Sequence, residues 1–193
     1  MGPDSIRRCG WAAVAGGAMW AAKGAAILAT GDQPPVLFEL PLLLFPLGLL
    51  GLHARLEGHD GRLRSVGRGV SLVALVAGAV AAGVFVVDPD ASGAVPGIAI
   101  AGSALGTVVG LILLGLVARR AQIFPPPWHR LPFVMGVATP VLLSVVGGML
   151  SEINERLLEV PLVLVAAAWI RLGLLIADLA PAVNGPKPPS RRA

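Results

Sequence analysis

The chain has 193 residues, of which 55% are hydrophobic and only 13% are charged. A soluble domain carries about 25% charged residues, so this chain has too little polar surface to fold as a water-soluble globule. Its 25 glycines and 17 prolines show no collagen-like period and are separated by long apolar runs, which also excludes a low-complexity chain. The net charge of +4 is explained by the role of basic residues in orienting membrane helices. We therefore expect no nucleic-acid partner.

Six apolar runs follow one another along the chain, each about long enough to cross a bilayer core as a helix. Strands of a membrane barrel would alternate polar and apolar residues, so we predict a single all-α domain, a polytopic bundle of six transmembrane helices with short loops. A basic, proline-rich tail follows at 181–193. The second run is the weakest, because it contains Glu39, Pro41 and Pro46 in its interior. The predicted spans are residues 10–30, 35–52, 69–87, 98–117, 131–150 and 157–179.

Arginine and lysine residues are divided very unevenly between the two sides of such a bundle. One side holds twelve of them, and the other side holds Arg156 alone. Basic connections stay in the cytoplasm, so we expect both termini there, in a multi-pass protein of a bacterial inner (plasma) membrane. We interpret 10–30 as an uncleaved first helix, because its removal would leave five spans and separate the two termini. The twelve are Arg7, Arg8, Arg55, Arg62, Arg64, Arg68, Arg119, Arg120, Arg130, Lys187, Arg191 and Arg192.

Small residues recur at four-residue spacing in several of the predicted spans. The clearest stripe is Gly102, Gly106 and Gly110 in the fourth span, a double GxxxG pattern. Membrane helices associate through close backbone approach at such stripes. Tight packing inside the bundle is the favoured interpretation, and association with a second copy or with another membrane protein is the alternative. The lipid bilayer itself is the one certain partner of such a chain.

The second and sixth spans begin with similar segments. Residues 38–44 and 158–164 agree at four of seven positions and share a Glu-x-Pro element. An internal duplication would make the first two and the last two spans parallel repeats around a central hairpin. Chance similarity between leucine-rich helices competes with that explanation.

Charged side chains inside the predicted spans are the candidate functional residues, because a charge in hydrocarbon usually faces the bundle and finds a partner. Lys23, Glu39 and Glu159 lie at similar depth in the outer half, so we expect Lys23 to pair with Glu39, with Glu159 as a candidate second partner. Three interpretations of such a cluster remain open. The side chains form a structural ion pair, they bind a substrate or ion, or each extends separately to the membrane–water interface. Arg171 lies nearer the cytoplasmic side, where we expect it to extend towards lipid headgroups.

No catalytic motif accompanies these charges in the sequence. A single cysteine, Cys9, excludes an internal disulfide, and the histidines have no metal-ligand spacing, so we predict no metal and no cofactor. The segment 88–93 resembles the start of a calcium loop, but Ala99 replaces the required glutamate. We therefore expect a non-enzymatic subunit or regulatory membrane component. A small transporter or channel built on Lys23, Glu39 and Glu159 is the second hypothesis, and a membrane enzyme acting on lipid is the third.

Overall fold

A computed structural model describes residues 1–31, 39–59, 61–88 and 91–178. Within these ranges the fold is all-α, as predicted, and consists of six helices. The predicted tail at 181–193 lies outside the described residues. The helices are α1 (Pro3–Thr30), α2 (Glu39–Arg55), α3 (Gly61–Val87), α4 (Ala94–Ala121), α5 (Trp128–Ser151) and α6 (Glu155–Asp178).

Five of the six helices are long and apolar enough to cross a membrane, and α2 is the exception. It has 17 residues, and the predicted start of its span, 35–38, lies outside the described residues. Its position is nevertheless central, since α2 contacts α1, α3, α4 and α6. Of the five long helices, α6 is the most buried inside the protein and α5 the least.

The helices extend beyond the apolar runs that predicted them. α1 begins at Pro3 instead of 10, and α3 begins at Gly61 instead of 69, so the predicted charged connection 53–68 is largely helical. Hydropathy marks only the part of a helix that lies in hydrocarbon, whereas backbone hydrogen bonding continues through polar residues at the interface. α1 ends at Gly31, whose φ of 87° lies in the left-handed region that glycine adopts at low cost.

Consecutive helices run antiparallel, and α6 returns to pack along α1. Gly10 lies against Ala177, and Gly24 lies against Glu159, so the start of α1 and the end of α6 share one end of the bundle. α1 therefore lies between α2 and α6, whereas α4 lies between α3 and α5. This arrangement also gathers the arginines at the starts of α1, α3 and α5 and at the ends of α2 and α4 at that same end. We call it the arginine-rich end.

The stripe of glycines in α4 faces α3. A methyl group on Gly106 would come within 2.8 Å of the Ala74 Cβ, and one on Gly110 within 3.0 Å of the Ser71 Oγ. Gly102 is less confined, because the nearest atom to its added methyl group, the Ala77 Cβ, would be 3.4 Å away. The structure thus places the whole stripe at a helix contact inside the bundle.

α5 is irregular at its middle. After Pro140 the helix widens into a π-helical turn at Val141–Val146, and the Gly147 N–H donates to the Leu142 carbonyl five residues earlier. Proline has no N–H to donate and its ring crowds the preceding turn, which is the ordinary cause of such a disturbance. The helical irregularity next to Pro140 is thus a π-helical turn.

Candidate functional site

Lys23 of α1 and Glu159 of α6 form an ion pair inside the bundle. The Lys23 Nζ donates to the Glu159 Oε1 at 3.3 Å, and their side chains are only 8% and 10% exposed. Glu159 is well positioned because α6 starts just before it, where the Asn154 side chain accepts a hydrogen bond from the Arg156 N–H. The pair lies towards the end of the bundle opposite the arginines.

Three glycines at seven-residue spacing bring the two helices together. A methyl group on Gly10 would come within 2.7 Å of the Gly173 carbonyl oxygen, and one on Gly17 within 2.7 Å of the Ala166 carbonyl oxygen. Gly24, beside Lys23, would meet the Val163 side chain at the same distance. Such close backbone approach holds Lys23 in reach of Glu159 and covers both charges. We call this contact the α1–α6 seam.

Sequence reasoning missed this seam because it looked for small residues at four-residue spacing. The signal was nevertheless present: Gly10, Gly17 and Gly24 repeat every seven residues, which keeps one helix face towards a neighbour over four turns. Gly173 meets them from α6, where its own added methyl group would lie 2.6 Å from the Gly10 carbonyl oxygen.

Glu39 does not join this pair. Within the described residues no ion pair links it to Lys23, in contrast to the pairing expected from their similar depth. The Glu39 Oε2 is buried, and among the described residues it has no hydrogen-bond partner. Depth in the membrane is shared by all sides of a bundle, so equal depth alone does not bring two side chains together. The Glu-x-Pro similarity is also compatible with a local cause. Glu39 begins α2, and Glu159 begins the α-helical part of α6 after a 3-10 turn, and acidic residues and proline are both favoured in the first turn of an α-helix.

An aromatic cluster lies next to the ion pair on its arginine-rich side. The Phe45 ring stacks on Trp169 at 4.3 Å between centroids and meets Trp20 edge-on at 4.9 Å. These rings join α1, α2 and α6. Beside them is a cavity of about 210 Å³, which the hydroxyl groups of Thr107 and Ser144 also line. Neither Lys23 nor Glu159 lines this cavity.

Arg171 makes a different contact from the one expected. Its guanidinium lies over the Trp128 ring, 4.3 Å from the centroid, and so connects α6 with the start of α5. Its Nε is buried and has no hydrogen-bond partner within the described part of the chain. Arg171 is therefore in contact with protein, as a cation stacked on an aromatic face.

The arrangement provides one neutralised charge pair, a packed aromatic layer and a stacked arginine. Among the described residues no group of three or more histidine, cysteine, aspartate or glutamate side chains is placed to hold a metal ion. Comparison of the chain with protein-family models, with curated proteins and with solved structures gives no match.

Proposed function

We propose that the chain is a six-span component of the bacterial inner membrane that acts without catalysis, as a subunit or regulator of a membrane assembly. The observation that carries this proposal is the Lys23–Glu159 pair, whose two charges neutralise one another inside a closed helix contact. In this view the pair fixes the register of α1 against α6 and does not bind a substrate.

The topology that we propose has both termini in the cytoplasm and includes α2 as a crossing. Its support is the antiparallel order of all six helices, which requires α2 to run back between α1 and α3. Gly51 of α2 lies against Cys9 of α1, and Gly78 of α3 lies against Leu42 of α2, towards opposite ends of α2. The arginine-rich end then faces the cytoplasm, as the positive-inside rule requires.

Association is supported by the exposed face of α5, the least buried of the long helices. Val134, Val137, Val141 and Val145 are each about half exposed and follow one another at three- and four-residue steps along this helix. Such a face is apolar enough for lipid or for a neighbouring membrane helix. A chain that stays monomeric in lipid particles cut directly from its native membrane would contradict the proposed association.

Transport is the second candidate, and one observation favours it. The Glu39 Oε2, which is buried and has no hydrogen-bond partner in the described part of the chain, lies at the start of α2, on the same side of the bundle as the ion pair. A carboxylate in such a position is a candidate for binding a cation or a proton.

Reconstitution into liposomes separates these two functions. Purified chain is tested for currents driven by proton, sodium or potassium gradients, alongside the Lys23→Met/Glu159→Met double variant and Glu39→Gln. We expect wild type to give no current above that of empty liposomes, and the double variant to fold with a yield close to that of wild type. A wild-type current that either variant abolishes would overturn the proposal in favour of transport.

A further inference from the structure

A second group of charges lies at the arginine-rich end, between the last turns of α2 and the first turns of α3. It surrounds a cavity of about 270 Å³ whose lining includes His53, Glu57, Arg64 and Arg68. With His53 neutral, these side chains carry one net positive charge. Leu50 and Leu72 line the same cavity, so it has a polar and an apolar part.

Two nitrogen atoms beside this cavity have no hydrogen-bond partner among the described residues. The Arg64 Nη1 donates to the Leu56 carbonyl oxygen at 3.0 Å, which fixes its guanidinium beside the end of α2. The Arg64 Nε and the His53 Nδ1 are buried, and neither has a hydrogen-bond partner within the described residues. An arginine beside a cavity with an unused N–H is suited to bind a phosphate oxygen.

An apolar groove adjoins the cavity at Leu72. Leu72 lines both, and from there the groove runs along α3 as far as Val80 and along α4 from Gly102 to Val95. The groove encloses about 670 Å³, and its lining residues are all apolar. Arg68 and Val80 are twelve residues apart on one helix, a rise of about 18 Å, which is close to the hydrocarbon depth of one leaflet, about 15 Å.

We propose that this cavity and groove together bind one anionic phospholipid from the leaflet at the arginine-rich end. The phosphate lies between Arg64 and Arg68, and one acyl chain follows the groove from Leu72 towards Val80. The positive charge of Arg64 and Arg68 favours a phosphate, and the apolar groove next to them favours a lipid over a soluble anion. The site depends on the membrane location of the chain and not on the subunit role proposed above.

The test uses the purified, delipidated full-length chain and native mass spectrometry with three probes: phosphatidylglycerol, phosphatidylcholine and soluble glycerol phosphate. Arg68→Gln removes a cavity charge, and Arg62→Gln is the matched control, since Arg62 lies on the same helix but does not line the cavity. Both positions are exposed, so neither change should disturb folding. Val76→Trp fills the groove, and Val86→Trp is its control, since Val86 lies on the same helix and is equally exposed but does not line the groove.

We expect the wild type to retain phosphatidylglycerol about fivefold better than phosphatidylcholine, and Arg68→Gln to lose about that factor, the effect of one basic residue at a charged membrane surface. Arg62→Gln should change phosphatidylglycerol retention less than twofold. Val76→Trp should reduce this retention, and Val86→Trp should leave it unchanged. Equal losses in Arg68→Gln and Arg62→Gln would overturn the proposal, because only net charge would then matter. Glycerol phosphate that binds as tightly as the lipid would also overturn it, in favour of a free-anion site.

Discussion

The α1–α6 and α3–α4 helix pairs both pack through glycine, but one contact is closed and the other is partly open. Glycines repeat every seven residues in α1, and methyl groups added to Gly10 and Gly17 would collide with the backbone of α6. In α4 they repeat every four residues, the methyl contacts are looser towards Gly102, and a groove of about 670 Å³ lies beside them. The closed pair holds its charges within the bundle, whereas the open pair leads to charges that are available to a ligand.

This difference shows what decides the use of a charge in such a bundle. Removing a lysine and a glutamate from water is costly unless they meet one another, and the α1–α6 seam lets them meet at 3.3 Å. Arg64 and Arg68 lie in the first turns of α3, before its apolar run, where we expect water and headgroups to lower that cost. We therefore expect the charges in the seam to serve stability and those at the arginine-rich end to be available for binding.

The largest loss of stability is expected when only one of the two charged partners, Lys23, is removed. Lys23→Leu leaves the Glu159 carboxylate buried without its partner, and we expect a loss of about 3–5 kcal/mol in the free energy of unfolding. The Lys23→Met/Glu159→Met double variant should recover most of that loss. Unfolding in mixed micelles measures both values. A double variant that is no more stable than the single variant would show that the two side chains do not act as a pair.

Replacing one glycine by alanine in each helix pair compares the α1–α6 seam with the α3–α4 contact directly. Gly17→Ala places its Cβ 2.7 Å from the Ala166 carbonyl oxygen, so we expect a loss of about 1–3 kcal/mol from overpacking. Gly106→Ala meets the Ala74 Cβ at 2.8 Å and should lose less, because this side of the bundle opens to lipid. Equal losses at both positions would contradict the distinction between a closed and an open contact.

Alanine substitutions at two less confined glycines provide reference values for these stability losses. Gly102→Ala brings its Cβ only to ordinary contact distance, and Gly83→Ala meets nothing within 4 Å. We expect Gly102→Ala to be close to neutral, and Gly83→Ala to stabilise α3 by up to about 1 kcal/mol, because alanine favours the helix. The same unfolding experiment detects both changes. A clear loss in Gly83→Ala would indicate that this exposed face packs against another molecule.

The smallest effect is expected at the Arg171–Trp128 contact. Trp128→Leu removes the ring beneath the guanidinium, which should cost about 0.5–2 kcal/mol for a partly buried cation. Trp128→Phe retains an aromatic face and should recover part of the loss. If Leu and Phe at this position are equally destabilising, the cation–aromatic contact contributes nothing, and Arg171 is held by other contacts.

The apolar runs predicted all six helices, because the transfer of side chains into hydrocarbon is readable from composition. Hydropathy does not report which side of a helix meets which neighbour. For that reason Lys23, Glu39 and Glu159 could be placed at one depth, but only the structure separates Glu39 from the pair. The cavity at Arg64 and Arg68 was hidden for another reason: the charged segment 53–68 was interpreted as a connection, and its continuation as helix brings these arginines beside His53. The functional role of the charges stays a prediction.

The crossing of α2 is the central claim, because it decides whether the chain spans the membrane an even number of times. Thr30 and Glu57 flank this helix, so single cysteines at these positions in a Cys9→Ser background report on it directly. We expect a membrane-impermeant maleimide to label Thr30→Cys in intact cells and Glu57→Cys only after the cells are opened. Labelling of both positions from the same side would show that α2 does not cross, and would place the two termini on opposite faces.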